Sequence, residues 1–190
     1  MKRLLPYLVV LLSVLWLGAS WITPSPQKGD FDMRNFSRLP VLAGGRVKPL
    51  DTVARNSLLI MRGKQTLRLD GGKKMEASRW LADVLFNTPA ADQYPVFAVA
   101  NQEVLGMFGW PQADKRYCTF DEFRPHLAKI EEEGKTAAGI EAGKRTPFQT
   151  AIYNLRNALV LYQNLKSGVQ PEGATRFGAE IDTYAKAETS

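Results

Sequence analysis

Few residue types in this chain can do covalent or metal chemistry, and their spacing narrows what is left. There is one cysteine, Cys118, and one histidine, His126. A zinc centre, a Cys-x-x-Cys-His haem attachment signature and a two-histidine haem site each need more such ligands than this. Carboxylates pair as Asp30 with Asp32 and as Asp121 with Glu122. The first pair reads as linker solvation and the second as helix capping, whereas a glycosidase needs two carboxylates facing across a cleft. Gly44-Gly45 with Arg46 and Lys48 has the composition of an anion cradle, but no glycine-rich phosphate loop follows a strand in the required order. The bland reading of that pair is turn geometry. His126 reads as a half-exposed residue of a charged helix, and Cys118 as a buried small hydrophobe beside Tyr117 and Phe120. These residues announce no catalytic centre, so the expectation is a chain that is not an enzyme and acts through its surfaces.

The elements that would carry such a surface are organised around residues 36–63, FSRLPVLAGGRVKPLDTVARNSLLIMRG. A short apolar run (Leu39, Val41, Leu42) turns on Gly44-Gly45 and resumes as Arg46-Val47-Lys48. Two glycines between β-capable runs predict a tight hairpin, because glycine reaches the positive φ of primed turns without steric cost. After Pro49 a helix follows, with Asp51 as its natural N-cap, Ala54, Leu58 and Met61 on one face, and Gly63 at its end. Further on, residues 65–69 alternate weakly and turn at Asp70-Gly71-Gly72 into Lys73-Lys74, which predicts a short edge strand in a two- or three-stranded sheet.

The remainder reads as helical. Ala77, Trp80, Leu81, Val84 and Leu85 form the inner stripe of a helix over 76–86, stopped by Pro89. Residues 94–100 read as extended, and Asn101 caps a brief helix over 102–108. Thr119 and Glu122 make a capping box. Pro125 interrupts that helix, which resumes over 126–133, and the glycine-containing tract 134–143 reads as a hinge or frayed end. Thr146-Pro147 opens the strongest helix, striped by Phe148, Ile152, Leu155, Leu159 and Tyr162; its natural partners are the helices at 51–62 and 76–86. A weak helix is expected over 176–187.

Lys2-Arg3 precedes an apolar run from Leu4 to Ile22, roughly 19 residues, close to the bilayer's hydrocarbon thickness at 1.5 Å per residue. Trp16 and Trp21 suit an interfacial belt. This predicts a transmembrane anchor, or a cleavable signal segment given Gly18, Ala19 and Ser20. Either exports the rest, so the expected location is the inner (cytoplasmic) membrane, single-pass, with the C-terminal domain periplasmic. The expected organisation is an anchor or signal at 1–22, a linker at 23–35, a helical domain with a small hairpin at 36–166, and a weakly ordered tail at 167–190. The fold class is mainly α (α+β). A net charge of +6 invites nucleic acid, but the basic residues are scattered and lack interleaved aromatics. A basic face toward a membrane surface or an acidic partner fits better.

The stretch Leu39-Pro-Val-Leu-Ala-Gly-Gly-Arg-Val-Lys-Pro-Leu-Asp-Thr-Val-Ala-Arg55 resembles the opening of the extracytoplasmic segment in Ccs-type (system II) cytochrome c biogenesis proteins. The likeness continues less sharply through residues 57–64, 80–86 and 94–97. In that family the assembly carries haem outward and promotes its attachment to apocytochrome c. The family's haem work lies in a multi-helix membrane portion with a tryptophan-rich loop and histidine ligands, and the four tryptophans here are dispersed. The resemblance therefore implies a non-catalytic accessory or N-terminal part of a cytochrome c biogenesis assembly. It binds no cofactor alone, with haem in the wider machine and a polytopic assembly protein or apocytochrome c as partner. Arg46, Lys48, Asp51 and Arg55 are the expected partner-facing patch. The alternative is an independent cell-envelope binding module for an anionic glycan, lipid or protein, recognisable by affinity that weakens with salt.

Overall fold

The computed structural model describes residues 11–16, 31–86 and 88–169. The chain divides into two compact units, Met1–Asp32 and Met33–Ser190. In the first, residues 11–16 are helical and exposed, α1. Among the described residues no helix is long and apolar enough to cross a membrane. This overturns the expected transmembrane helix, the single-pass arrangement and the periplasmic placement built on it. With them goes the picture of a transmembrane, periplasmic cytochrome-assembly module. The rest of residues 1–22, the proposed linker at 23–30 and the expected helix at 176–187 lie outside the described residues.

The second unit is mainly helical with three separate two-stranded antiparallel sheets. It begins with α2 (Met33–Arg38), the hairpin β1 (Pro40–Ala43) and β2 (Arg46–Pro49), and α3 (Leu50–Arg62). A second hairpin joins β3 (Leu67–Arg68) to β4 (Lys74–Met75), and α4 (Ala77–Leu85) follows. Then come β5 (Phe97–Val99), α5 (Gln102–Met107), β6 (Arg116–Cys118), α6 (Phe120–Phe123), α7 (Leu127–Ala138) and α8 (Pro147–Lys166). The hairpins do not merge into one sheet, as the sequence had left open.

The core follows from the apolar stripes. Ala54, Leu58 and Met61 of α3, Trp80, Leu81 and Val84 of α4, and Ile152, Leu155, Leu159 and Tyr162 of α8 are all buried. Phe97 of β5 sits among them, edge-on to Phe123 at 5.6 Å and to Tyr162 at 5.5 Å between ring centroids, an orientation the aromatic quadrupole favours. Three predicted caps close: Asn101 accepts from the Val104 N–H, Thr119 forms a capping box with Glu122, and Thr146 forms one with Gln149. Each capping box satisfies two backbone donors that a helix start otherwise orphans.

Three local expectations change. Asp51 does not cap α3; Pro49 holds the cap position without a side-chain bond, and Asp51 sits in the first turn. There it pairs with Arg55 at 2.7 Å, one helical turn on. The helix expected to end at residue 133 continues to Ala138. Gly134 lies inside it, where a Cβ would stand 2.4 Å from Cδ of Arg156 on α8, so the glycine marks a close helix crossing and not a hinge. Finally, α7 is a major partner of α8 beside the expected α3 and α4.

Three distant segments meet at Asp92, in the 3-10 turn Ala91–Gln93. Its carboxylate accepts from the Tyr162 hydroxyl at 2.8 Å and from Lys166 Nζ at 2.9 Å. Arg124 Nη2 donates to it at 3.0 Å. The Tyr162 hydroxyl is pushed well above its ordinary range, first by burial and then by donating to Asp92. The network ties the end of α8 to the segment after α4.

Candidate functional site: an outward hairpin

The first hairpin carries two of the four residues that the sequence marks as a partner surface, Arg46 and Lys48, and an apolar face that it does not mark; Asp51 and Arg55 stand on α3. The register pairs Pro40 with Pro49, Val41 with Lys48, Leu42 with Val47 and Ala43 with Arg46. Gly44 and Gly45 take φ of 60° and 74°, as both central residues of a primed two-residue turn must. The hairpin base is held by Leu50 N–H donating to the Leu39 carbonyl at 3.0 Å and Leu39 N–H donating to that of Phe36 at 3.2 Å. Leu50 is itself buried and opens α3.

Side chains alternate across a strand, so this register separates two faces. Val41, Ala43, Arg46 and Lys48 share one, on which Val41 packs against the core. Pro40, Leu42, Val47 and Pro49 share the other, which points away. Leu42 is 76% exposed and Val47 71%. Two such side chains directly opposite each other and uncovered are a departure from scattered surface apolarity. Covering them is worth about 1.5–3 kcal/mol each in area removed from water.

The predicted basic patch separates into two parts. Asp51 and Arg55 come together, but as a mutual ion pair, and Asp51 raises the Arg55 guanidinium further above its ordinary value through their hydrogen bond. Arg46 is exposed at the turn and Lys48 half-buried, and neither forms an ion pair with a described residue. The free positive charge therefore sits on the hairpin, on the face opposite Leu42 and Val47, and not on α3. The outward Leu42 and Val47 were missed because alternation alone does not say which face α3 covers. A two-residue turn at Gly44-Gly45 did place them opposite each other.

Elsewhere the chemistry-bearing residues serve packing. Cys118 is buried in β6, and burial pushes its thiol up to about 12. His126 packs at a tilt against Phe108 at 4.9 Å and edge-on to Trp110 at 6.0 Å between ring centroids. Among the described residues no three His, Cys, Asp or Glu side chains are grouped to hold a metal ion.

The fold and this surface define a small, mainly helical domain with an exposed amphiphilic hairpin. The chain matches no family model, no curated protein and no solved structure. These comparisons add nothing to the likeness to the Ccs-type segment carried by residues 39–55 and, less sharply, by 57–64, 80–86 and 94–97.

Proposed function

We propose that this chain is a non-catalytic binding module that engages a partner protein through the β1–β2 hairpin. The observation that carries the reading is the outward pair Leu42 and Val47, bounded on the same face by Pro40 and Pro49, with the exposed, unpaired Arg46 next to Val47 at the turn. A partner surface with an apolar patch edged by carboxylates complements it: the patch supplies affinity and the charges supply orientation. A purely anionic glycan would leave the apolar face uncovered, which makes a protein the better fit among anionic partners.

A second reading concerns which protein. The hairpin that projects lies within the stretch, Leu39 to Arg55, that carries the Ccs-type resemblance. A system II assembly protein or an apocytochrome c is therefore the first named partner to try.

The test is a photo-crosslinking amino acid at position 42 or 47, with position 132 on α7 as the control, in the native host. Adducts to one common protein from 42 and 47, absent from 132, support the reading. In vitro, Leu42→Asp with Val47→Asp should weaken binding of that protein at least a hundredfold with an unchanged melting temperature. No adduct at 42 or 47, or the same adducts from 132, refutes it.

A further inference from the structure

A groove of about 650 Å³ opens on the second unit, away from the hairpin's turn, between α3, β5 and the first half of α8. Ala98 and Val99 of β5 line it, followed by Ala100 and Asn101 beyond the strand's end. Because neighbouring side chains on a strand point to opposite faces, lining by the adjacent pair Ala98 and Val99 puts the groove along the strand's backbone edge. Among the described residues β5 pairs with β6 alone, so its other edge has no strand partner there. The facing wall is α8, where Thr150, Ala151 and Ala158 keep the side chains short and leave width. Met61 and Leu155 add apolar surface, and Ile60, 66% exposed, stands on the rim.

One charged residue lines the groove, Arg145, and no carboxylate does. Arg145 pairs with no acidic side chain among the described residues. Its guanidinium is nevertheless fixed. Nε donates to the Ala137 and Ile140 carbonyls at 2.8 and 2.9 Å, and the group lies 4.1 Å above the Tyr153 ring. A cation immobilised before a ligand arrives loses little further freedom on meeting an anion.

We infer that this groove receives an extended acidic segment of another protein, which adds as a third strand on the free edge of β5 and places an Asp or Glu side chain on Arg145. Strand addition of this kind takes affinity from main-chain hydrogen bonds and selectivity from alternate side chains. β5 is three residues long, so its edge, at about 3.3 Å per residue, matches a segment of about three residues. The apolar walls take the side chains that alternate with the acidic one. This site is separate from the hairpin and stands whether or not the hairpin reading holds.

The probe is a fluorescein-labelled, end-blocked heptapeptide of alternating valine and threonine with one central glutamate, titrated with the full chain and followed by anisotropy. The matched peptide carries glutamine in its place. The glutamate peptide is expected to bind about tenfold more tightly than the glutamine one, a difference that shrinks with salt. Thr150→Trp, at an exposed position of α8, should fill the groove and abolish binding of both. Arg145→Met should erase the difference between the two peptides. If that variant unfolds, the two peptides on the unaltered chain still decide the charge term. Amide shift changes on binding should gather at residues 97–101 and 145–158. Equal affinity for the two peptides, binding that survives Thr150→Trp, shifts confined to other residues, or no binding at millimolar peptide would overturn the inference.

Discussion

Replacing Asp92 with alanine should cost about 3 kcal/mol of folding stability, a large effect for a residue that touches no proposed ligand. The magnitude is assembled from the carboxylate's three donors. Tyr162 is fully buried, so its hydroxyl, now bonded at 2.8 Å, is left without an acceptor; an orphaned buried donor costs about 1–3 kcal/mol. Lys166 is 22% exposed and loses both carboxylate oxygens, which adds about 1 kcal/mol for a half-screened charged bond. Arg124 is 59% exposed and keeps Asp121 as a partner, so its share is close to nothing. The isosteric Asp92→Asn keeps an acceptor for Tyr162 and loses only the charge, and should cost about 1 kcal/mol.

Urea unfolding at pH 7, followed by tryptophan fluorescence, reads these differences directly. With a slope of about 2 kcal/mol per molar, the midpoint of Asp92→Ala should fall by about 1.5 M at unchanged slope. A double-mutant cycle with Tyr162→Phe isolates the shared bond. Removing hydroxyl and carboxylate together should cost about 1 kcal/mol less than the sum of the single changes. A loss below 1 kcal/mol for Asp92→Ala, or a cycle that closes additively, would show that the network is geometry without energy.

Other outcomes follow from single contacts. Gly134→Ala should destabilise by about 1–2 kcal/mol in thermal melts although alanine is the better helix former, because its Cβ meets Arg156 at 2.4 Å; Gly143→Ala, with nothing within 4 Å, should change little. Native Cys118, its thiol pushed up to about 12 mainly by burial, should resist a disulfide reagent at pH 8 and react at once in urea. Glu131, holding hydrogen bonds and charge from Arg156 and then Lys135, is lowered from 4.5 to about 2. Its folded value lies below the unfolded one, so its stabilisation is present above about pH 4.5 and is lost as pH falls toward 2. With 41% of the side chain exposed, solvent screening keeps the effect under about 1 kcal/mol. Glu131→Gln should flatten that part of a stability-against-pH curve; an unchanged acid limb would refute the assignment.

What could be read from sequence and what could not divide along the range of the interaction concerned. The box of Thr119 with Glu122 and the cap of Thr146 before Pro147 are legible because each signal is complete within three residues. The stripes of α3, α4 and α8 are legible because burial repeats at the helical period. The pairing of Phe97–Val99 with Arg116–Cys118 was not, since α5 intervenes and neither segment carries a turn signal pointing to the other. Gly134 read as a hinge because its reason to be small, the flank of Arg156, lies on another helix. Asp51 read as a cap because the residue type fits, yet Pro49 with its fixed φ already sets the helix start and leaves the carboxylate free to meet Arg55.

The same division explains why the candidate surface was half visible. Arg46 and Lys48 are marked by type, and the turn that presents them by its glycines. The apolar half depends on which side of the hairpin α3 and α2 cover, and one residue of register decides it. Had Leu42 and Val47 faced the core, Val41 and Lys48 would stand outward and the hairpin would show solvent an ordinary mixed surface. In the observed register Lys48 is instead half-buried on the covered face, while the better hydrophobes are given to solvent. That inversion stabilises nothing within this domain, because about 1.5–3 kcal/mol per side chain remains unrealised until something covers them. An arrangement that forgoes its own burial energy makes physical sense as one half of an interface.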